Sequence, residues 1–417
     1  MLLRTLLPAA LFAAVLLDFT PPAAACPGCG APTGQTLTSE VAQADFILFG
    51  TLGNQKPDPK DPGSSKGTTD MTIDAVVKSH ALVKDKKVFV IPRYVPPDPK
   101  PYKYMVFFNV VNGDVDPYRG VAVGADSKLP EYVKGALDVR QKDSATRLNY
   151  FFNYLESNEI EISGDAYNEF AVAEYKEVAE IAPKLPSDTV LKWLKDPNTR
   201  ASRYGLYGMI IGHSGKTEHA KALRALLDDP ERKFSSGLDG MLMGYTLLDR
   251  KAGYDYLMKL AGDPTSEFLV KHAALKTLRF FWEYRPDVLT KKEVLDGMTA
   301  LMGHPDIADM PIDDLRKWKA WEKTDTVLNL AGLESHNTLP INRRSILKFA
   351  IAASWADPKN AAAVGFVDKA RKDDPERVKL IEDLLKDEQK VIPKPPEPAK
   401  KEPLKPTSGS WPERVAC

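Results

Sequence analysis

The residues best placed to do chemistry are Cys26-Pro27-Gly28-Cys29, two thiols with two residues between them in a chain whose one other cysteine is Cys417. Thiols at this spacing can close a structural disulfide, cycle as a redox dithiol, give half of a zinc site, or offer one sulfur to a lipid. A redox pair needs a strand before it and a helix N-terminus behind it to lower a thiol pKa. Here no strand precedes the motif, and Pro32 follows soon after. Zinc needs about four ligands, and no second Cys or His pair lies near in sequence. The Cys26–Cys29 disulfide is the favoured reading, and no cofactor or resident metal is expected.

What precedes the pair reads as an export signal. Arg4 gives a positive n-region, Leu6 to Leu17 a short apolar stretch, and Ala23-Ala24-Ala25 the small residues that signal peptidase requires. Residues 1–25 are thus expected to be a signal peptide. Cleavage after Ala25 would leave Cys26 first, with a free amino group, in a periplasmic or extracellular protein. A lipid anchor at Cys26 is the less favoured alternative. Position 23 is alanine rather than leucine, and the apolar stretch ends eight residues before the cut, at Leu17.

Other matches are weaker. Gly212-His213-Ser214-Gly215-Lys216-Thr217 resembles a phosphate loop, but the glycine required five residues before Gly215 is Ile210. A helix–helix turn accounts for it better. Gly63-Ser64-Ser65-Lys66-Gly67 has the spacing of a nucleophile elbow, which needs a buried strand leading in. Its flanks are Pro57, Pro59 and Pro62, so an exposed loop is expected. The histidines at 80, 213, 219, 272, 304 and 336 show no ligand spacing. No catalytic constellation is legible, and a non-enzymatic protein is expected. Glu169, Glu174, Glu177 and Glu180 read as a solvated helix face. Trp282, Trp318, Trp321 and Trp355 read as core.

The bulk composition sets outer limits. Lys+Arg and Asp+Glu both number 57, and this balance argues against a nucleic-acid binder, which usually shows a basic excess. After the leader no stretch approaches 18 apolar residues, so no transmembrane segment is expected. A chain of 417 residues exceeds one ordinary core, so two domains are the natural prior.

The elements that must position these residues change character near Pro130. Before it, Phe46–Phe49 closed by Gly50, Met71–Val77, Val88–Ile91, Tyr104–Val111 and Gly120–Val123 read as strands, with an exposed loop over Gln55–Gly67. Five short strands suit a small barrel. After it, Leu148, Phe151, Phe152 and Leu155, then Val172, Tyr175, Val178 and Ala179, recur at helical spacing. Asp196-Pro197, Asp229-Pro230 and Asp263-Pro264 fall 33 and 34 residues apart, followed by His304-Pro305 and Asp357-Pro358. Proline disfavours helix at the residue before it, so each marks the end of a helix pair. Pairs recurring at this period stack into arrays. The expected organisation is a five-stranded β-barrel over 26–135 and an irregular α-helical repeat domain, an α-solenoid, over 141–389. A disordered Pro/Lys-rich tail over 390–417 follows.

The first of these regions resembles the OB-fold domain of tissue inhibitors of metalloproteinases and netrin modules. The resemblance is carried by the cysteine beginning the mature chain, Ala44-Asp45-Phe46-Ile47-Leu48, Met71 to Lys78, Val88 to Pro92 and Lys103-Tyr104-Met105-Val106. The second resembles HEAT and armadillo repeats. In the inhibitors the amino group and carbonyl of the first cysteine chelate a protease zinc, a role that here would fall to Cys26. The family pattern is Cys-x-Cys, whereas this chain has Cys-x-x-Cys and no cysteine between 30 and 416. The leading expectation is a secreted or periplasmic protein-binding module whose protein or peptide partner lies on the helical-repeat surface. The alternative is a metalloprotease inhibitor acting through the Cys26 amine.

Overall fold

A computed structural model of the chain describes residues 26–29, 35–61, 63–229 and 236–391. The expected signal peptide, Cys417 and residues 392–417 of the expected tail lie outside the described residues.

Five strands, β1 (Phe46–Pro57), β2 (Gly67–Lys78), β3 (Val88–Ile91), β4 (Lys103–Val111) and β5 (Asp114–Val123), form one antiparallel sheet in the order β3-β2-β1-β4-β5. On one face Phe46, Leu48, Met71, Phe89, Val106 and Phe108 make a core in which the Phe46 and Phe108 rings stack 4.4 Å apart. On the other, Ile47, Phe49, Met105 and Phe107 are buried as well. Burial on both faces is why residues 46–49 form a continuous apolar run rather than an alternating one.

β1 continues past Gly50, where the sequence suggested a stop. The register shifts there, and a Cβ at Gly50 would stand 1.9 Å from the Thr72 carbonyl oxygen. Glycine at this bulge lets the ladder run on to Pro57, and the expected loop shortens to 58–66. The sheet is open. Among the described residues β3 and β5 share no ladder, so hydrogen bonding does not close the expected barrel. β3 is only four residues long, and its Val88 and Val90 are exposed. Arg93, two residues past the end of β3, forms an ion pair with Asp116 of β5 at 3.6 Å.

The chain divides into two compact units, which meet in sequence at Gly303 and His304. The change from strands to helices near Leu129 lies within the first unit. A helix that sequence reading missed precedes the sheet. α1 (Leu37–Gln43) packs on α2 (Leu129–Val139), which also contacts β2.

The first unit continues with α3 (Ser144–Phe152), α4 (Ile160–Val172), α5 (Tyr175–Ile181), α6 (Ser187–Lys195), α7 (Tyr204–Ser214), α8 (Thr217–Leu227), α9 (Leu238–Leu248), α10 (Arg250–Gly262), α11 (Phe268–Glu283) and α12 (Lys291–Met302). α7, α9 and α11 lie side by side, and α10 packs on α12. Glycine sets the α7–α9 approach: a Cβ at Gly244 would stand 2.0 Å from the Gly208 carbonyl oxygen. The Asp-Pro stops fall at helix ends. Asp196 and Asp263 cap α6 and α10 with extended ψ of 124° and 112°, as a following proline requires. The helical pattern expected across Val172–Ala179 is two helices, broken at Ala173-Glu174.

The second unit holds α13 (Asp309–Lys317), α14 (Thr324–Asn329), α15 (Glu334–Asn337), α16 (Pro340–Ala356), α17 (Ala361–Asp373) and α18 (Pro375–Val391). Leu347, Ala350, Ile351, Val367, Val378 and Ile381 form its inner cluster. Because α18 runs through Val391, the first two residues assigned to the tail, 390 and 391, are helical. The tryptophans are not buried core: Trp282, Trp318 and Trp321 are half-buried, and Trp355 is exposed.

Candidate functional site

Cys26 and Cys29 are joined by a disulfide, with their Cα atoms 5.3 Å apart. The Cys29 amide donates to the Cys26 carbonyl at 3.0 Å, closing a tight turn. This turn sits on helices rather than on the sheet. The Cys26 amide donates to Ala171 O, just inside the C-terminal end of α4, at 3.3 Å. Cys26 Sγ lies 4.0 Å from Met209 Sδ of α7. Gly205 lets the turn close on α7, because a Cβ there would stand 2.0 Å from the Gly28 carbonyl oxygen. Cys26 is 3% exposed and Cys29 8%. Zinc chelation in trans through Cys26 would therefore require the turn to undock from α4 and α7.

Beside this turn opens a cleft of about 190 Å³. Gly28 forms part of its wall, Leu238 and Asp239 come from α9, and Leu269, His272 and Lys276 from α11. These α11 residues share one face because they recur at three- and four-residue spacing. Asp239 and Lys276 form an ion pair. Burial, reinforced by Lys276 and Arg279, lowers the His272 pKa and favours the neutral ring, on which the Phe268 ring stacks at 5.8 Å. Phe268 and Leu269 remain 41% and 56% exposed.

A second cleft, of about 390 Å³, lies where α1, β5 and α4 meet. It gathers Glu40, Arg119, Glu161 and Asp165, a cluster that no spacing in the sequence announces. Burial raises the Asp165 carboxyl to about 7, against the opposing effect of its hydrogen bonds from Tyr132 and Leu37. Those bonds use both carboxylate oxygens: Leu37 N donates at 2.6 Å and Tyr132 OH at 2.7 Å. Burial also raises Glu40, and the Arg119 guanidinium bound to it opposes the shift. These groups act as ties between elements. Nearby, Lys78 Nζ donates to the carbonyls of Val41, Ala42 and Ala44, capping the end of α1, and Asp45 accepts from Val110 N of β4 at 2.7 Å.

The remaining motifs resolve into structure. Gly212–Thr217 spans the end of α7, the Gly215-Lys216 turn and the start of α8, where His219 Nδ1 accepts from Lys216 N at 3.0 Å and its Nε2–H faces Asp188. Of the acidic run only Glu180 is fully exposed as a solvated face would be. Glu169 is buried, Glu174 and Glu177 form the capping box of α5, and Arg147 pairs with both Glu169 and Glu177. Among the described residues no group of three or more His, Cys, Asp or Glu is arranged to hold a metal ion. None of their helices is long and apolar enough to cross a membrane.

No protein-family model matches this chain, and neither a curated protein nor a solved structure matches it significantly.

Proposed function

We propose that the chain is an exported, non-enzymatic binding module that receives a protein or peptide partner on the α7–α9–α11 side of its first unit. The observation that carries this reading is Leu269, exposed at the mouth of the cleft beside the disulfide turn, with exposed Phe268 next to it stacked on His272 of the cleft wall. Apolar side chains at the edge of a concave site, ringed by polar groups, are the usual anchors of a partner. His272 and the Asp239–Lys276 pair supply that polar surround. The side-by-side helices support a HEAT-like reading of the array. The strand order and the Ala44, Asp45 and Lys78 ties support an OB-like, partly open barrel before it. The disulfide fits an oxidising compartment.

The test is comparative pull-down from the native exported fraction. Wild-type protein should enrich a defined partner, and Leu269→Glu should lose it while folding normally. Equal enrichment by both proteins would remove the cleft from the reading.

The inhibitor reading requires an open amine at Cys26. The bond from Cys26 N to Ala171 O and the burial of the turn weigh against it.

A further inference from the structure

The second unit contains a cleft of about 350 Å³ among α16, α17, α18 and the segment ahead of α16. Its floor is apolar: Ile346, Leu347 and Val378 are buried, and Phe366 is half-buried against them. Around that floor stand Arg343, Lys369 and Arg377. Arg343 is held in place by donating to the Asn337 and Thr338 carbonyls at the end of α15, a cation at a helix C-terminus. Lys369 and the Arg377 guanidinium have no ion-pair partner among the described residues. Two carboxylates also line the cleft. Asp374 is occupied in capping α18, its Oδ1 accepting from Arg377 N at 3.0 Å. Asp373, at the last position of α17, is left to oppose the cations.

An apolar floor beneath three cations that outnumber two carboxylates selects a ligand with an apolar body and an anionic head. The volume lies at the small end of ligand pockets, which span about 300–1,000 Å³. It accommodates one alkyl chain and is too small in volume for a docked helix, whose diameter is about 10 Å. We propose that this cleft binds a small amphiphilic carboxylate, its head between Lys369 and Arg377 and its alkyl chain over Phe366 and Ile346.

The test is calorimetric titration of the full chain with decanoate, decanol and decylamine, all below their aggregation thresholds. Decanoate should bind saturably, and decylamine at least about tenfold more weakly, a difference of ~1.4 kcal/mol. Lys369→Gln with Arg377→Gln should weaken decanoate by a similar factor. Asp373→Asn should tighten it by removing the opposing charge. All three positions are exposed or half-exposed, and unchanged circular dichroism would show that the variants fold. The proposal is overturned if decanoate gives no saturable heat, if decylamine binds equally, or if neutralising both cations leaves decanoate affinity unchanged. Binding of a peptide through a free apolar C-terminal residue, without binding of decanoate, would also overturn it.

Discussion

Asp165 accepts the Leu37 amide hydrogen at 2.6 Å across 128 positions of sequence, and with its other oxygen it holds the Tyr132 hydroxyl at 2.7 Å. One buried carboxylate thus joins α1, α2 and α4. Replacing it by alanine strands two buried donors, and the expected loss is about 2–4 kcal/mol. Urea unfolding followed by tryptophan fluorescence checks this. An Asp165→Ala midpoint equal to wild type would show the tie to be dispensable.

The same carboxyl gives stability a pH dependence of definite sign. Its folded value is about 7 against an ordinary 3.8, so between those values the folded chain binds more protons than the unfolded. Its contribution is fully present below about pH 4 and is lost as pH rises through about 7. Asp165→Asn removes this slope. Its stability relative to wild type should therefore be higher at pH 8 than at pH 5.

His213 acts in the opposite direction. Burial, with Arg285 nearby, lowers it to about 4 from 6.5, and its Nε2 lies 3.1 Å from the Tyr175 hydroxyl. Its contribution is complete above pH 6.5 and is lost as pH falls through about 4. His213→Gln should flatten the acid limb of the stability profile, whereas Asp165→Asn should steepen it. Parallel unfolding series from pH 4 to 8 separate the two. Profiles displaced the same way would contradict one of the assignments.

The α7–α9 contact predicts opposite outcomes for two glycine-to-alanine changes. Gly244→Ala drives a methyl into the Gly208 carbonyl and should cost about 1–3 kcal/mol or more. Gly365→Ala, on the exposed side of α17 with nothing within 4 Å of the added carbon, should stabilise by up to ~1 kcal/mol. Thermal melts of the two variants read the difference directly.

The disulfide turn predicts slow chemistry. After mild reduction, maleimide should modify Cys26 and Cys29 far more slowly in folded than in unfolded protein, because both are buried against α4 and α7. Loss of so short a loop should cost about 2 kcal/mol. Immediate labelling of the folded, reduced chain would mean that the turn undocks readily, and it would restore the case for an available Cys26 amine.

Much of the scaffold was legible because it rests on local patterns. The apolar runs at 46–49 and 88–91, the alternation at 71–77 and the aspartate–proline stops each mark an element by residue type alone. Gly50 misled because its role is to relieve a contact with Thr72 on the neighbouring strand, which no local pattern reveals. Glu169 and Glu177 looked solvated because their partner, Arg147, is remote in sequence. The Glu40–Arg119–Asp165 cluster was invisible for the same reason: its members come from α1, β5 and α4. The one available signal was Asp165 itself, an acidic residue in the otherwise apolar and small stretch Ile162 to Ala166. Of the residues quoted for the resemblance, Lys78 ties the end of α1 to β2, and Asp45 holds the entry to β1 against β4.

The claim that the cleft beside the disulfide turn receives a partner is tested most directly by site-specific photo-crosslinking in the native host. The crosslinker would be placed at Leu269, at the mouth of the cleft, and as a control at Lys251, exposed on α10. The account predicts one discrete adduct from position 269, absent from position 251 and abolished by Lys276→Glu. Adducts of equal pattern and yield from both positions would contradict it.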